Sequence, residues 1–248
     1  MWKTSDHREQ LYDGVDCGTG CSNAGGTVVA VDGTNDRTGV DFATMRWVRR
    51  SDMNADRRSD ILWRHTSGAS YVWMMDGLSL RASTYLAPIS ASWQVQAVAD
   101  FDGDREADIL WREVASGTTY IWFMRGSTTF GQGFTGSQAD NAWSIEAVDD
   151  FNGDGKADIL WRHALGALYV WLMDGVNLGP GSTYLPPIGT NWVIQALRDL
   201  DGDGKSDILW RESSSGSTYV WLMDGATTRA SGYTASQAGN DWTIQAPR

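Results

Sequence analysis

Short apolar and aromatic runs, separated by clusters of Gly, Ser, Asn and Asp, follow one another along most of the chain and repeat with a period near fifty residues. Runs of this kind, rich in Val, Ile, Tyr and Trp and bounded by turn residues, predict β-strands. The unit is clearest where Asp150-Phe-Asn-Gly-Asp-Gly-Lys-Ala-Asp158-Ile-Leu-Trp-Arg162 stands. It recurs as Asp100-Phe-Asp-Gly-Asp-Arg-Glu-Ala-Asp108-Ile-Leu-Trp-Arg112 and Asp199-Leu-Asp-Gly-Asp-Gly-Lys-Ser-Asp207-Ile-Leu-Trp-Arg211, with a worn copy from Asp52. Each copy continues into a Tyr-Val-Trp-Leu-Met-Asp-Gly-like run and then a Trp-x-Ile-Gln-Ala-Val-like run. A fixed period of this length is the mark of a repeat architecture.

Within one unit the pattern predicts four strands. In the third copy, strand A covers 143–148, strand B 159–162 and strand C 168–173, ending at the Asp174-Gly175 turn. Residues 183–187 form an outer strand D, because the prolines at its end cannot serve a central ladder. Strands B and C are apolar throughout instead of alternating, as expected of a sheet covered on both faces. Stacked four-stranded antiparallel sheets of this kind are the blades of an all-β propeller. Twelve of the 14 Trp fall at three repeated positions: Trp63, Trp111, Trp161 and Trp210; Trp73, Trp122, Trp171 and Trp221; Trp93, Trp143, Trp192 and Trp242. Most are expected to fill the wedges between blades, with stacking under sugar rings as the other use for such rings.

The last unit stops at Asp241-Trp242-Thr-Ile-Gln-Ala-Pro-Arg248, a strand A with nothing after it. Gly26-Thr-Val-Val-Ala-Val-Asp-Gly33 has the form of a degenerate strand C, and 10–12 that of part of a strand B. The expectation is therefore a single propeller domain of five four-stranded blades. Residues 1–43 form a degenerate N-terminal blade segment, 44–248 form four repeats plus the closing strand, and pairing of the terminal segments removes the exposed sheet edge. Closure by a partner subunit is the other route, so the protein is expected to be a monomer or a partner-closed oligomer.

The formal net charge of −11 argues against a nucleic-acid partner, since phosphate binding rests on clustered Lys and Arg. Fourteen of the 31 acidic residues are the Asp of the repeated loops, and without them the net charge would be +3. Each loop, Asp-x-Asp/Asn-x-Asp-x-x-x-Asp, sets oxygen donors at positions 1, 3, 5 and 9, with a backbone carbonyl expected near position 7. Calcium takes six to eight such oxygens in a tolerant geometry. Hard oxygen ligands disfavour zinc, and magnesium ranks second because it demands a stricter octahedron. The predicted ligands are Asp52, Asn54, Asp56 and Asp60; Asp100, Asp102, Asp104 and Asp108; Asp150, Asn152, Asp154 and Asp158; Asp199, Asp201, Asp203 and Asp207. About three or four ions are expected. Gly at loop positions 4 and 6 eases the turn, as Gly153 with Gly155 and Gly202 with Gly204. The second loop has Gly103 but Arg105, and the first has Ala55 and Arg57, so the first loop is expected to bind most weakly.

These residues resemble the FG-GAP/VCBS repeat family, which includes the propeller of integrin α subunits and many secreted bacterial proteins. The resemblance covers 44–248. It implies calcium in the loop joining strands A and B, on one face of the propeller, held by the Asp and Asn donors just named. Its members range from adhesion modules to lectins and accessory domains of enzymes, so it implies far less about activity than about fold and metal.

With calcium loops at one face, chain-specific chemistry is sought at the other. There His65, Glu113, His163 and Glu212 occupy equivalent positions after Arg64, Arg112, Arg162 and Arg211. The former could bind a polar ligand, provide general acid and base groups, or simply stand exposed at strand ends; the latter could grip a carboxylate or phosphate, pair with acidic neighbours or snorkel. Gln96, Glu146, Gln195 and Gln245 form a further ring, expected to face the central channel. No nucleophile elbow, catalytic triad, phosphate-cradling loop or zinc motif is present in the sequence. The first reading is a calcium-dependent binding or adhesion module for a carbohydrate or protein ligand, lectin-like. The alternative is a calcium-dependent hydrolase of esters or phosphotriesters, which needs one under-coordinated metal. A third is an accessory fragment of a longer enzyme. No apolar stretch approaches the ~18 residues of a membrane span. No signal peptide is seen, and a secreted, extracellular setting of bacterial type is expected. Cys17 and Cys21 form a small disulfide or remain free thiols.

Overall fold

The computed structural model describes residues 51–137 and 139–244, all of them β-structure, turn or loop. The first sheet contains β1 (Ile61–Arg64), β2 (Ser70–Asp76) and β3 (Ser79–Tyr85). The second is β4 (Trp93–Ala99), β5 (Asp108–Glu113), β6 (Thr119–Arg125) and β7 (Thr128–Phe134). In the third, β8 (Trp143–Asp149), β9 (Asp158–His163) and β10 (Leu168–Trp171) are followed by a small hairpin of β11 (Met173–Asp174) and β12 (Asn177–Leu178), after which β13 (Thr183–Leu185) pairs back onto β10. The fourth is β14 (Trp192–Arg198), β15 (Asp207–Glu212), β16 (Thr218–Asp224) and β17 (Thr227–Tyr233). Every pairing is antiparallel; the second and fourth sheets are A-B-C-D meanders of a propeller blade, the third is the same with the hairpin inserted between β10 and β13, and the described strands of the first are B, C and D.

Register explains why strands B and C carry no polar side. Ile109 lies opposite Trp122 and Trp111 opposite Tyr120, so one face of the second sheet is aromatic. Leu110 opposite Ile121 makes the other face aliphatic. The diagonal tryptophans meet across the strands, with ring centroids 5.0 Å apart for Trp111 and Trp122, 4.7 Å for Trp161 and Trp171, and 5.2 Å for Trp210 and Trp221. Successive sheets pack unlike face to unlike face. Val72 and Met74 of the first receive Trp111 and Trp122 of the second. Leu110 and Ile121 receive Trp161 and Trp171, and Leu160 and Val170 receive Trp210 and Trp221. Each inner strand, β4, β8 and β14, neighbours the next.

The conserved geometry of the repeat is reinforced by arginine. Arg64 lies over the ring of Trp111 at 4.9 Å, Arg112 over Trp161 at 5.0 Å and Arg162 over Trp210 at 5.6 Å, each bridging one blade to the next. Their guanidinium groups also donate to main-chain carbonyls: Arg162 to Trp192 at 2.7 Å and Gly189 at 2.8 Å, Arg112 to Asp140 at 2.9 Å. Arg211 does the same to Gly239 and Trp242, both at 2.8 Å. The start of each following strand A is thus held by the preceding blade.

Two details depart from the sequence reading, and a third adds to it. Strand C of the third copy breaks at Leu172, whose carbonyl accepts from Gly179 and whose N–H donates to Ser182 Oγ, making room for the insertion around Pro180. Strand D ends at Leu185, before Pro186. Gln96, Glu146 and Gln195 are the residues skipped by the register between strands A and B, half-buried at β-bulges. Gln245, the proposed N-terminal blade segment of 1–43 and both cysteines lie outside the described residues, and so do residues 245–248 of the proposed closing strand. Its described part, 240–244, has no strand pairing. No helix among the described residues is long and apolar enough to cross a membrane.

Candidate functional site: acidic loops and aromatic clefts

The four A–B loops share one backbone path. Positions 4 and 6 have positive φ in every copy: Gly103 86° with Arg105 75°, Gly153 79° with Gly155 90°, Gly202 82° with Gly204 83°, and Ala55 55° with Arg57 70°. This left-handed pair turns the loop's amides inward. Asp100 Oδ1 accepts from Gly103 N at 2.6 Å and Oδ2 from Arg105 N at 2.7 Å; Asp150 and Asp199 repeat the pattern with Gly153 and Gly155, and with Gly202 and Gly204. In the first loop Asp52 Oδ1 accepts instead from Asp56 N at 3.2 Å. The third residue accepts from the fifth N–H, as Asn152 from Asp154 at 2.8 Å, and the fifth accepts from the seventh, as Asp154 from Lys156 at 2.8 Å.

The ninth residue has a second task that its spacing alone did not reveal. Asp158 is fully buried, with Oδ2 accepting from Phe151 N at 2.9 Å and Oδ1 from Met173 N at 2.8 Å. Asp60, Asp108 and Asp207 make the same two bonds. It ties the loop to strand C. Burial pushes the carboxyls of Asp108 and Asp158 up to about 8 against the lowering effect of those amides, and that of Asp100 up to about 6.

Carboxylate oxygens of Asp100, Asp102 and Asp108 lie within 4.8 Å of one another, as do those of Asp199, Asp201 and Asp207. Asp104 and Asp203, at the fifth position, stand outside these trios. Asn54 and Asn152 leave the other two loops one carboxylate short. Consecutive loops are strung together: Ala107 N donates to Asp52 O, Ala157 N to Asp100 O and Ser206 N to Asp150 O, at 2.6–2.8 Å.

At the opposite ends of the B strands, the proposed ligand-binding row is engaged in closing turns. Glu113 Oε2 accepts from Ser116 N at 2.6 Å and Ser116 Oγ at 2.9 Å. Glu212 is buried, takes donors from Ser214 and Ser215 that hold its carboxyl down at about 2, and accepts from Asn191 at 2.6 Å. His65 Nδ1 accepts from Ser67 N and His163 Nδ1 from Leu165 N, both at 3.1 Å. Arg64, Arg112, Arg162 and Arg211 donate to main-chain carbonyls, and Arg162 also has an acidic neighbour in Glu146 at 4.0 Å.

A different cluster, which joins repeated tryptophans to outer-strand aromatics the sequence reading did not single out, opens between blades. A cleft of about 520 Å³ runs between the third and fourth sheets, walled by Pro186, Pro187, Trp192, Trp221 and Tyr233, with Arg229 at its side. Trp192, Tyr219 and Tyr233 stand with centroids 4.9–6.3 Å apart. Trp93, Tyr120 and Phe134 repeat the trio at 4.6–6.3 Å, and Trp143 and Tyr169 both meet Tyr184. The outer rings are open to solvent: Phe134 59%, Tyr184 62% and Tyr233 65% exposed. The signal was present in the sequence, since Tyr85, Phe134, Tyr184 and Tyr233 keep the repeat period, but a single aromatic in a polar outer strand carries little weight alone.

Against known families, the profile described as an FG-GAP-like repeat matches residues 52–111, 100–161 and 150–210, each match running from one acidic loop to the buried Trp of the next copy. No curated protein matches the chain.

Proposed function

The chain belongs to the FG-GAP-like repeat family, whose repeats form propeller-like binding modules, and from that premise we propose a calcium-binding, extracellular adhesion module for carbohydrate. The observation that carries the carbohydrate reading is the recurring solvent-open aromatic trio beside the inter-blade cleft. Such rings offer flat apolar platforms, and about 520 Å³ is room for a small saccharide. Tyr219 Oη stands 3.2 Å from Ser231 Oγ, a polar edge suited to ring hydroxyls. Repetition around the blades supplies several equivalent sites, and multivalent attachment gains strength by effective concentration.

The acidic loops fit calcium on two grounds. Their donors are hard oxygens, and burial raises the carboxyls of Asp100 and Asp102, with the neighbouring carboxylates adding to the rise, which a shared cation would relieve. Asp100, Asp102 and Asp108 would hold one ion and Asp199, Asp201 and Asp207 another, with the fifth-position Asp and the seventh carbonyl completing the shell. The first and third loops offer the same positions with Asn54 and Asn152 in third place. When bound, calcium supplies the charge that lets these carboxylates lie together. The residues themselves position the loop: Asp52, Asp100, Asp150 and Asp199 gather the inward amides, and the buried ninth Asp anchors the loop to strand C.

A glycan array read with calcium present, followed by tryptophan fluorescence titration of the best ligand, tests this reading. Tyr233→Ala and Trp192→Ala should each weaken binding about tenfold or more, in line with the cost of losing a stacked ring. An array without hits, or hits indifferent to both substitutions, would remove the carbohydrate reading.

A further inference from the structure

One residue belongs both to an acidic loop and to a cleft. Arg229 lies in β17 at the position skipped by the register between Leu222 and Met223, so the bulge frees its side chain from the regular ladder. Its guanidinium is paired with Asp201 and has Asp203 at 3.9 Å, both predicted ligands of the fourth loop. The same side chain borders the cleft of Trp192, Trp221 and Tyr233. The equivalent bulge residues elsewhere do other things: Arg81 pairs with Asp76, while Phe130 packs on Phe123 and under Arg125.

We propose that Arg229 is shared between two sites, held by the carboxylates of the fourth loop in chelator-stripped protein and available to the neighbouring cleft as the anchor for a carboxylate-bearing saccharide once those carboxylates serve calcium. This rests on the reading of the loops as calcium sites and of the clefts as saccharide sites. The physical basis is competition for charge. Asp201 can satisfy a guanidinium or a divalent ion, and two cations on one small carboxylate pair repel. Arg229 is half-exposed on a flexible stem, so changing partners costs little packing. A planar guanidinium beside aromatic walls selects a ligand with an apolar sugar face and a planar carboxylate, which it can grip through two parallel N–H donors. A neutral sugar gains nothing from it. By linkage, calcium and the acidic saccharide must then favour each other's binding to the same degree.

Two measurements decide it. Calorimetric calcium titration of stripped wild type and Arg229→Gln should show one site tightened roughly three- to tenfold in the variant, with the others unmoved. No change at any site overturns the competition, whatever the clefts bind. Then a glucuronate-containing disaccharide and its neutral glucose counterpart are titrated by tryptophan fluorescence, with and without calcium. The acidic sugar should gain about fivefold or more with calcium in wild type, and this gain should vanish in Arg229→Gln while the neutral sugar is unaffected. If both sugars bind with no calcium-dependent preference, the sharing of Arg229 is wrong and the carbohydrate reading survives. If neither binds, both fall. Equal melting temperatures of the two proteins without calcium exclude a folding defect in the variant.

Discussion

At the residue scale, the acidic loops show how a backbone requirement is filled unevenly. Positions 4 and 6 sit at positive φ in all four copies, yet Arg57 and Arg105 occupy this region at 70° and 75° where later copies have Gly155 and Gly204. A side chain there carries a steric cost that glycine avoids. Arg105→Gly is therefore expected to raise stability by about 0.5–1 kcal/mol, measured by urea unfolding in calcium, and Gly155→Ala to lower it by a similar amount or more. The buried ninth carboxylates give a pH prediction. Asp108 and Asp158 lie near 8 in the folded protein against an ordinary 3.8, so the folded chain binds more protons than the unfolded one between those values. Stability of chelator-stripped protein should then fall as pH rises from about 4 to about 8. Calcium needs the ionised carboxylates and should oppose that slope; thermal melts at pH 5 and 8, with and without calcium, check both signs.

At the scale of the element, the A–B loop and the C–D turn are linked by an ion pair in three blades, and in the second the charges change places. Lys156 pairs with Asp174, Lys205 with Asp224, and Arg58 with Asp76 at 3.0 Å. In the second blade the loop carries Glu106 and the turn Arg125, and Glu106 also caps Gly126 N at 2.6 Å. These exposed pairs contribute little each. The inter-blade arginines contribute more, because each stacks on the next blade's Trp and holds a loop carbonyl. Arg112→Lys keeps the charge but loses the planar stack over Trp161 and the fork to Gly117 and Asp140. It should destabilise by about 1–2 kcal/mol in urea unfolding, and Arg229→Lys by far less.

At the scale of the whole molecule, the unlike-faced packing leaves the described blades with two different open ends. Ile61 and Trp63 are 38% and 47% exposed, although their counterparts Ile109 and Trp111 are buried. Leu200 is 47% exposed where Phe101 and Phe151 are buried. Any blade adjoining the first must therefore offer an aliphatic face, and any adjoining the fourth an aromatic one. The calcium proposed for the loops would act at this scale, because the loops are strung blade to blade through their carbonyls. Calorimetry on stripped protein should find about three or four ions, the first loop weakest, and saturation at a hundred times Kd should add about 2.7 kcal/mol for each site that binds only the folded form. A melting temperature unmoved by calcium would make the loops ordinary turns.

The repeat, the four strands of a blade, the acidic loops and their left-handed positions were all legible in the sequence, because each is a local requirement of backbone geometry or strand periodicity and so recurs at a constant spacing. Spacing says nothing of which face meets which neighbour. The tertiary structure decided that Arg64, Arg112 and Arg162 bridge blades, that Glu113 and Glu212 close turns, and that the ninth Asp clamps strand C. It likewise brought Trp192 of β14 together with Arg229 and Tyr233 of β17 at one cleft. Contacts between residues so far apart in the chain depend on how sheets stack, and stacking is set by the summed packing of whole faces, which no single repeat contains.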